Sequence, residues 1–298
     1  MNVLISGASG LIGSALKTAL SERGDRVLAL TRQTSLADSE ITWDPASGQI
    51  DTTRLDNLDA VIHLAGENIA ASRWTPAQKA RIRDSRVFGT TLIAQTLAQL
   101  PTPPKVFISA SAIGYYGHRS DETLTESSTP GDGFLPDVCI AWEDAAKPAI
   151  EAGIRTVYPR IGIVLSPDGG ALAKMRLPFK LGLGGIIGSG TQYMSWIGLN
   201  DLISILLFAI DNNTISGPIN AVSPTPVTNR EFTKTLGRAL SRPTLFPLPA
   251  FIARLALGEM ANALLLCSTR VLPTCLESLN FSFSHPQLSP ALHLMLNR

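Results

Sequence analysis

Gly7-Ala8-Ser9-Gly10-Leu11-Ile12-Gly13 is the stretch that decides the fold. It follows Val3-Leu4-Ile5-Ser6, a short uninterrupted apolar run of the kind that forms a strand buried on both faces. Leu11, Ile12, Ala15, Leu16, Ala19 and Leu20 then recur at helical spacing, with Gly24 just past the end as a stop. Three glycines between a first strand and a first helix have separate duties. Gly7 permits the tight turn, Gly10 lets backbone approach a pyrophosphate, and Gly13 lets the helix pack on the strand. The helix N-terminus offers free N–H groups and the positive end of its dipole to phosphate. Gly7, Ser9, Gly10, Leu11, Ile12 and Gly13 are therefore the candidate dinucleotide contacts.

The rhythm continues outward. Arg26 to Thr31, Ala60 to Gly66 and Lys105 to Ser109 read as strands, separated by helical stretches around 76–100 and 135–152, and Arg155 to Val164 reads as a strand with its following loop. This alternation implies α/β architecture, a doubly wound parallel sheet of Rossmann type with helices on both faces. Residues 166–195 carry many glycines and read as loops folding over a site. Helices return at 200–211 and 229–240, with a strand at 219–222. Prolines punctuate the chain from 243 onward. We expect an NADP-binding domain over 1–244, with 165–200 on the substrate side, and a small C-terminal domain over 245–298.

Composition excludes several classes. With 45% hydrophobic and 16% charged residues, the 298-residue chain is no disordered segment. A net charge of +1 leaves no electrostatic footprint for nucleic acid. The longest apolar run, Leu202 to Ile210, is too short to span a membrane, and the N-terminus lacks a basic region before its apolar run. Three scattered cysteines make no disulfide framework. A cytoplasmic setting is expected. His63, His118, His285 and His293 share no ligand spacing, so no metal is expected, and His63 reads as a satisfied core histidine.

The second strand ends at Thr31-Arg32, 19 residues after Gly13. An acidic residue there grips a ribose 2′-hydroxyl, whereas arginine accommodates a 2′-phosphate. Arg32 can also be an ordinary solvated charge, but its place favours NADP over NAD.

The Gly-x-x-Gly-x-x-Gly spacing resembles the extended short-chain dehydrogenase/reductase superfamily. Further blocks narrow the resemblance: Leu64-Ala65-Gly66-Glu67-Asn68-Ile69, Gly114-Tyr115-Tyr116-Gly117, Ala141-Trp142-Glu143, Arg160 to Leu165, Pro178 to Gly190, and Arg270-Val271-Leu272-Pro273. In order along the chain, they are similar to the SDR39U type of epimerase family protein, whose bacterial members carry a small C-terminal domain of unknown function. The resemblance implies bound NADP, with Thr31 and Arg32 at the 2′-phosphate, Leu64, Ala65 and Gly66 along the strand edge, and Arg86 and Val164 completing the contacts. By analogy with the superfamily, it also implies the helices near 76–100 and 135–152 as a homodimer surface. One departure is Gly198, which stands where the family's Trp-Ile-His block has histidine, while Asp201 remains.

Superfamily oxidoreductases move a proton with a Tyr-x-x-x-Lys pair, in which the lysine lowers the tyrosine pKa. None of the four tyrosines here has a lysine four residues on. Leu135 and Cys139 occupy those places. Cys139 reads as a small buried residue and Glu143 as an ion-paired or structural group. The hydroxyls available near the end of the fifth strand are Ser111, Tyr115 and Tyr116, each of which could instead be satisfying the backbone or packing. Two functions follow: an NADP(H)-dependent oxidoreductase or epimerase of a small-molecule substrate, or a non-catalytic NADP(H)-binding regulator or sensor.

Overall fold

The computed structural model describes residues 1–33 and 37–296. The chain opens with β1 (Asn2–Ser6), α1 (Leu11–Glu22), β2 (Arg26–Thr31) and β3 (Glu40–Asp44), and β4 (Gln49–Ile50) folds back on β3. It continues through β5 (Ala60–His63), α2 (Pro76–Gln99), β6 (Val106–Ser109), β7 (Ser111–Ala112) and β8 (Thr123–Leu124). Next come α3 (Phe134–Asp144), α4 (Lys147–Glu151), β9 (Arg155–Ile161), β10 (Ile163–Ser166), α5 (Gly170–Lys180), β11 (Tyr193–Met194) and β12 (Trp196–Gly198). The remainder is α6 (Leu199–Asp211), β13 (Gly217–Ala221), β14 (Val227–Thr228), α7 (Asn229–Ala239), α8 (Ala250–Leu257), α9 (Glu259–Leu264), β15 (Arg270–Val271), α10 (Thr274–Ser278) and α11 (Leu288–Leu296).

The main sheet runs β13-β9-β6-β5-β1-β2-β3-β4, with β7 also on β9. All its pairs are parallel except β3 with β4. The chain leaves β1 toward β2 and β3 on one side and fills β5, β6, β9 and β13 on the other. The order therefore reverses between β1 and β5, and open α/β sheets place ligands in the crevice beyond such a point. Both sheet faces are covered, which is why the strands read as continuous apolar runs. On one face Val3, Ile5, Ile62 and Ile108 pack with Leu16 of α1 and Leu202, Ile205 and Leu206 of α6. On the other, Leu4, Val61 and Phe107 pack with Ile93 and Leu97 of α2 and Ala149 of α4. A further core joins Leu165 and Trp196 to Phe232, Leu236, Leu288 and Leu292.

Two expectations need correction. The helix expected over 135–152 is two helices, α3 and α4, because Pro148 in the first turn of α4 has no N–H to continue the α3 ladder. The stretch 166–195, expected as loops, contains α5. Its glycines stand at the ends, Gly169 as the N-cap, Gly170 as the first helical residue and Gly182 after the helix. Between them, Leu172 and Phe179 bury one face.

Candidate functional site

The glycine turn sits at the crevice between β1 and β5. Gly7 has φ +72°, and a Cβ there would lie 2.8 Å from the Ala65 nitrogen and 2.9 Å from the Leu64 carbonyl carbon. A Cβ on Gly13 would meet the Gly7 oxygen at 2.2 Å, so α1 rests directly on the turn. Gly10 differs: its Cβ would only crowd the Gly7 oxygen at 3.3 Å, and Ser9 and Gly10 are exposed. Gly10 begins α1 with no side-chain cap, and the first turn holds no acidic residue. The N-terminal amides thus present positive potential to open space. Half-buried Leu11, Ile12, Leu64, Ala65 and Val164 and exposed Gly66 border the same space. This cradle fits a dinucleotide.

Arg32 is exposed at the end of β2, beside half-buried Thr31, and makes no hydrogen bond or ion pair with the described residues. Its charge helps hold Asp44 below the ordinary carboxylate range, after hydrogen bonds from Ser47 and Ala46. Arg86 lies behind Gly66, where a Cβ would approach its guanidinium carbon at 3.3 Å. It donates to the carbonyls of Glu67 (3.0 Å) and Ile82 (2.9 Å) and stacks over Trp142. Burial lowers its pKa, while Cys139 and Glu67 act to raise it.

A buried polar network lies between β7, α3 and β9. Ser111 Oγ donates to Glu143 Oε1 at 2.6 Å. Arg160 grips the same carboxylate with two hydrogen bonds of 2.9 Å, and its guanidinium lies 3.4 Å from the Tyr115 ring centre. Burial opposes the Arg160 charge, but Glu143 outweighs it and the pKa rises. Leu135 and Cys139 face this region, within 3.4 and 3.7 Å of where a Gly114 Cβ would stand. Burial, then the Glu143 charge, pushes the Cys139 thiol up to about 12, so it is neither nucleophile nor acid near neutrality.

The structure removes Tyr116 from the hydroxyls expected to meet a substrate. It is fully buried, donates to Asn220 Oδ1 at 2.6 Å and accepts from Arg160 at 3.1 Å. Tyr115 is half-buried, and its hydroxyl has no partner among the described residues. His63 is only half satisfied: Nδ1 faces Ser6 Oγ at 2.5 Å, but Nε2 is buried without a partner among the described residues. Ser6 Oγ also accepts the amides of Leu64 and Ala65, so its proton goes to Nδ1 and Nε2 carries the imidazole hydrogen. Asp201 accepts the amides of Ser284 and His285, which makes it an anchor for the C-terminal segment.

Residues 3–221 match the NAD dependent epimerase/dehydratase family, and residues 248–294 match a domain of unknown function, DUF1731. The chain belongs to the NAD dependent epimerase/dehydratase family. An epimerase family protein of Mycobacterium tuberculosis is 45% identical over 97% of this chain and 96% of its own length. The human epimerase family protein SDR39U1 is 36% identical over 98% of each. The crystal structure of its isoform 2 with NADPH superposes with TM-score 0.91, covering 100% of this chain and 99% of that one. A nucleoside-diphosphate sugar epimerase from Corynebacterium glutamicum, 38% identical, gives 0.83 over 99% of this chain and 58% of that one. Extended-fold epimerases below 20% identity share the fold at TM-scores near 0.77.

Among the described residues, no helix is long and apolar enough to cross a membrane, and no group of three or more His, Cys, Asp or Glu could hold a metal. A groove of about 940 Å³ between the β3–β4 hairpin and the last turns of α2 lies away from the glycine turn between β1 and β5. Sequence reasoning singled out neither Arg160 nor Asn220 as partners at the site. The signal for Arg160 was its place near the end of an apolar strand, where a charge must find a partner.

Proposed function

We propose that the chain binds NADP(H) at the β1–β5 crevice and acts on a small polar substrate as an oxidoreductase or epimerase. The observation that carries this reading is the cradle of Gly7 against Leu64 and Ala65 beneath the uncapped start of α1. The human relative crystallised with NADPH supports it. Gly7 to Gly13 would surround the pyrophosphate, Thr31 and Arg32 the 2′-phosphate, and Leu64, Ala65, Gly66, Arg86 and Val164 the length of the cofactor. Bound NADP(H) supplies or accepts a hydride at its nicotinamide.

Ser111 and Tyr115 carry the substrate-side hydroxyls. Ser111 Oγ, with its proton directed at Glu143, has lone pairs free to accept from a substrate hydroxyl. A proton leaving that hydroxyl passes to Ser111 Oγ as the serine proton passes to Glu143. Arg160 holds the carboxylate oriented for this relay with two hydrogen bonds. Arg86, electrostatically coupled to Cys139, brings positive charge near the place vacated by lysine.

A second reading, a non-catalytic NADP(H) sensor, is favoured by Leu135 and Cys139, neither of which can exchange a proton at neutral pH. Calorimetry with NADPH and NADH tests what both readings share. NADPH should bind more tightly, and Arg32→Glu should erase the preference by removing a charge-assisted, bidentate contact. Gly10→Val should abolish binding with an unchanged melting curve, because its side chain enters the open cradle and not the core. Equal affinities in the unaltered protein would sink the phosphate assignment. A density map of the cofactor complex, showing or lacking a second ligand beside Ser111 and Tyr115, separates catalyst from sensor.

A further inference from the structure

Of the twelve large apolar side chains exposed among the described residues, eight fall in two short stretches, 177–183 and 245–255. Seven of the eight are 60–77% exposed, so they stand out from the surface and do not line a groove. Single exposed apolar side chains need no explanation, whereas a cluster of them marks a place of contact.

Two helices carry most of the cluster. α5 turns Leu172 and Phe179 into the core, while Leu177 and Leu181, the residue just past its end, share the exposed side with Lys174. α8 buries only Ala253 and exposes Phe251, Ile252 and Leu255. The two stretches lie side by side. Arg242 Nε donates to the Lys180 carbonyl at 2.9 Å, the Leu248 amide to the Ile186 carbonyl at 2.8 Å, and the Gly188 amide to the Leu248 carbonyl at 2.9 Å. Gly185 packs against the Phe246 carbonyl with no room for a Cβ.

Charge decides what covers this face. Residues 170–190 and 238–258 contain no Asp or Glu. Lys174, Lys180, Arg238, Arg242 and Arg254 are exposed there, and none of them forms an ion pair among the described residues. A second copy of the chain, docked face to face, would set these cations against their own kind. A protein partner would need a pocket shaped for each protruding Leu and Phe. Fluid lipid accepts such side chains in any arrangement, and anionic head groups attract the lysines and arginines among them. No described helix is long and apolar enough to cross a bilayer, so contact of this kind lies on the membrane surface.

We propose that this face docks on an anionic phospholipid bilayer, with the exposed apolar side chains of α5 and α8 among the head groups. The test is flotation of the full-length protein with vesicles of phosphatidylcholine alone or mixed with phosphatidylglycerol. Binding to the mixed vesicles should saturate and exceed binding to the neutral ones by about tenfold or more, since each cation near the surface is worth about fivefold. Raising salt from about 0.1 to about 1 M should remove most of that difference by screening. Phe251→Ser combined with Leu255→Ser should weaken binding to the mixed vesicles by about tenfold or more through lost apolar contact. Lys174→Glu combined with Lys180→Glu should do the same, and this pair keeps the test open if the serine pair does not fold. Phe88→Ser, an exposed phenylalanine on α2 outside the face, should bind like the unaltered protein. All of these side chains are exposed, so the melting temperatures should stay close to that of the unaltered protein. No binding to the mixed vesicles, or equal binding by the unaltered protein and both pairs of variants, overturns the proposal. So does a dimer in analytical ultracentrifugation that the serine pair dissociates, because the face then belongs to a second copy of the chain.

Discussion

His63 shows what one residue's surroundings decide. It lies in β5 with no exposed surface, beneath Trp43 and against Gly89. Burial, with a smaller push from the Arg86 charge, lowers its pKa from 6.5 to about 3. The folded chain therefore keeps a neutral imidazole where the unfolded chain takes up a proton. Stability from this residue is fully present above pH 6.5 and is lost as pH falls from there toward the folded value of about 3. At about pH 5 the loss amounts to ~2 kcal/mol, since each pH unit below the unfolded pKa costs about 1.4 kcal/mol. Urea unfolding at about pH 7.5 and about pH 5 should show this difference, and His63→Gln should remove it; the same slope in the variant would assign the effect to other groups. The sequence placed His63 inside an apolar strand, as observed, but its missing Nε2 partner depends on what packs above β5. The roles expected of Arg32 and the three glycines rest on position relative to one strand and one helix, which the sequence does show.

At the level of elements, legibility followed periodicity and neighbours in sequence. α2 was expected to end near Leu100 and ends at Gln99; α6 and α7 lie within a residue or so of their expected spans. The short strands β3, β8 and β15 were not read, since two to five residues carry too little pattern without their partners. The contact between α3 and β9 was invisible for the same reason: Glu143 and Arg160 are 17 residues apart and meet only after both elements dock. Their side chains are 14% and 4% exposed, which makes the pair a test of how these elements are joined. Arg160→Met leaves Glu143 uncompensated and removes a donor to Tyr116, and should cost about 3–5 kcal/mol. Glu143→Leu combined with Arg160→Met should cost clearly less than the sum of the single changes, because the doubly apolar pair strands no charge. Strict additivity in urea titrations would show that the two residues do not act as a unit.

For the molecule as a whole, the question is whether the first 244 residues stand alone. Leu276 is fully buried in the same core as Leu202, Ile205 and Ile219 of the sheet domain. Leu288 and Leu292 fill the core around Trp196 and Phe232. Glu126 receives the amides of Asn220 and Cys275 on one oxygen and the Thr274 hydroxyl on the other, tying the edge strand β13 to α10. Asn220 closes the link by donating to the Leu272 carbonyl at 2.9 Å. Each of the three leucines contributes ~1.5–3 kcal/mol by burial, so together they approach the whole net stability of a typical domain, about 5–15 kcal/mol. Their removal also uncovers the apolar faces they pack on, and it leaves Glu126 without two of its three donors. A chain ending at residue 244 should therefore aggregate or lack cooperative unfolding, as read by size exclusion and a thermal melt followed by circular dichroism. A soluble, monodisperse 1–244 fragment with a sharp melt and NADPH affinity like that of the full chain would show instead that the sheet domain is complete without the C-terminal segment, and that the shared cores add to its stability but do not create it.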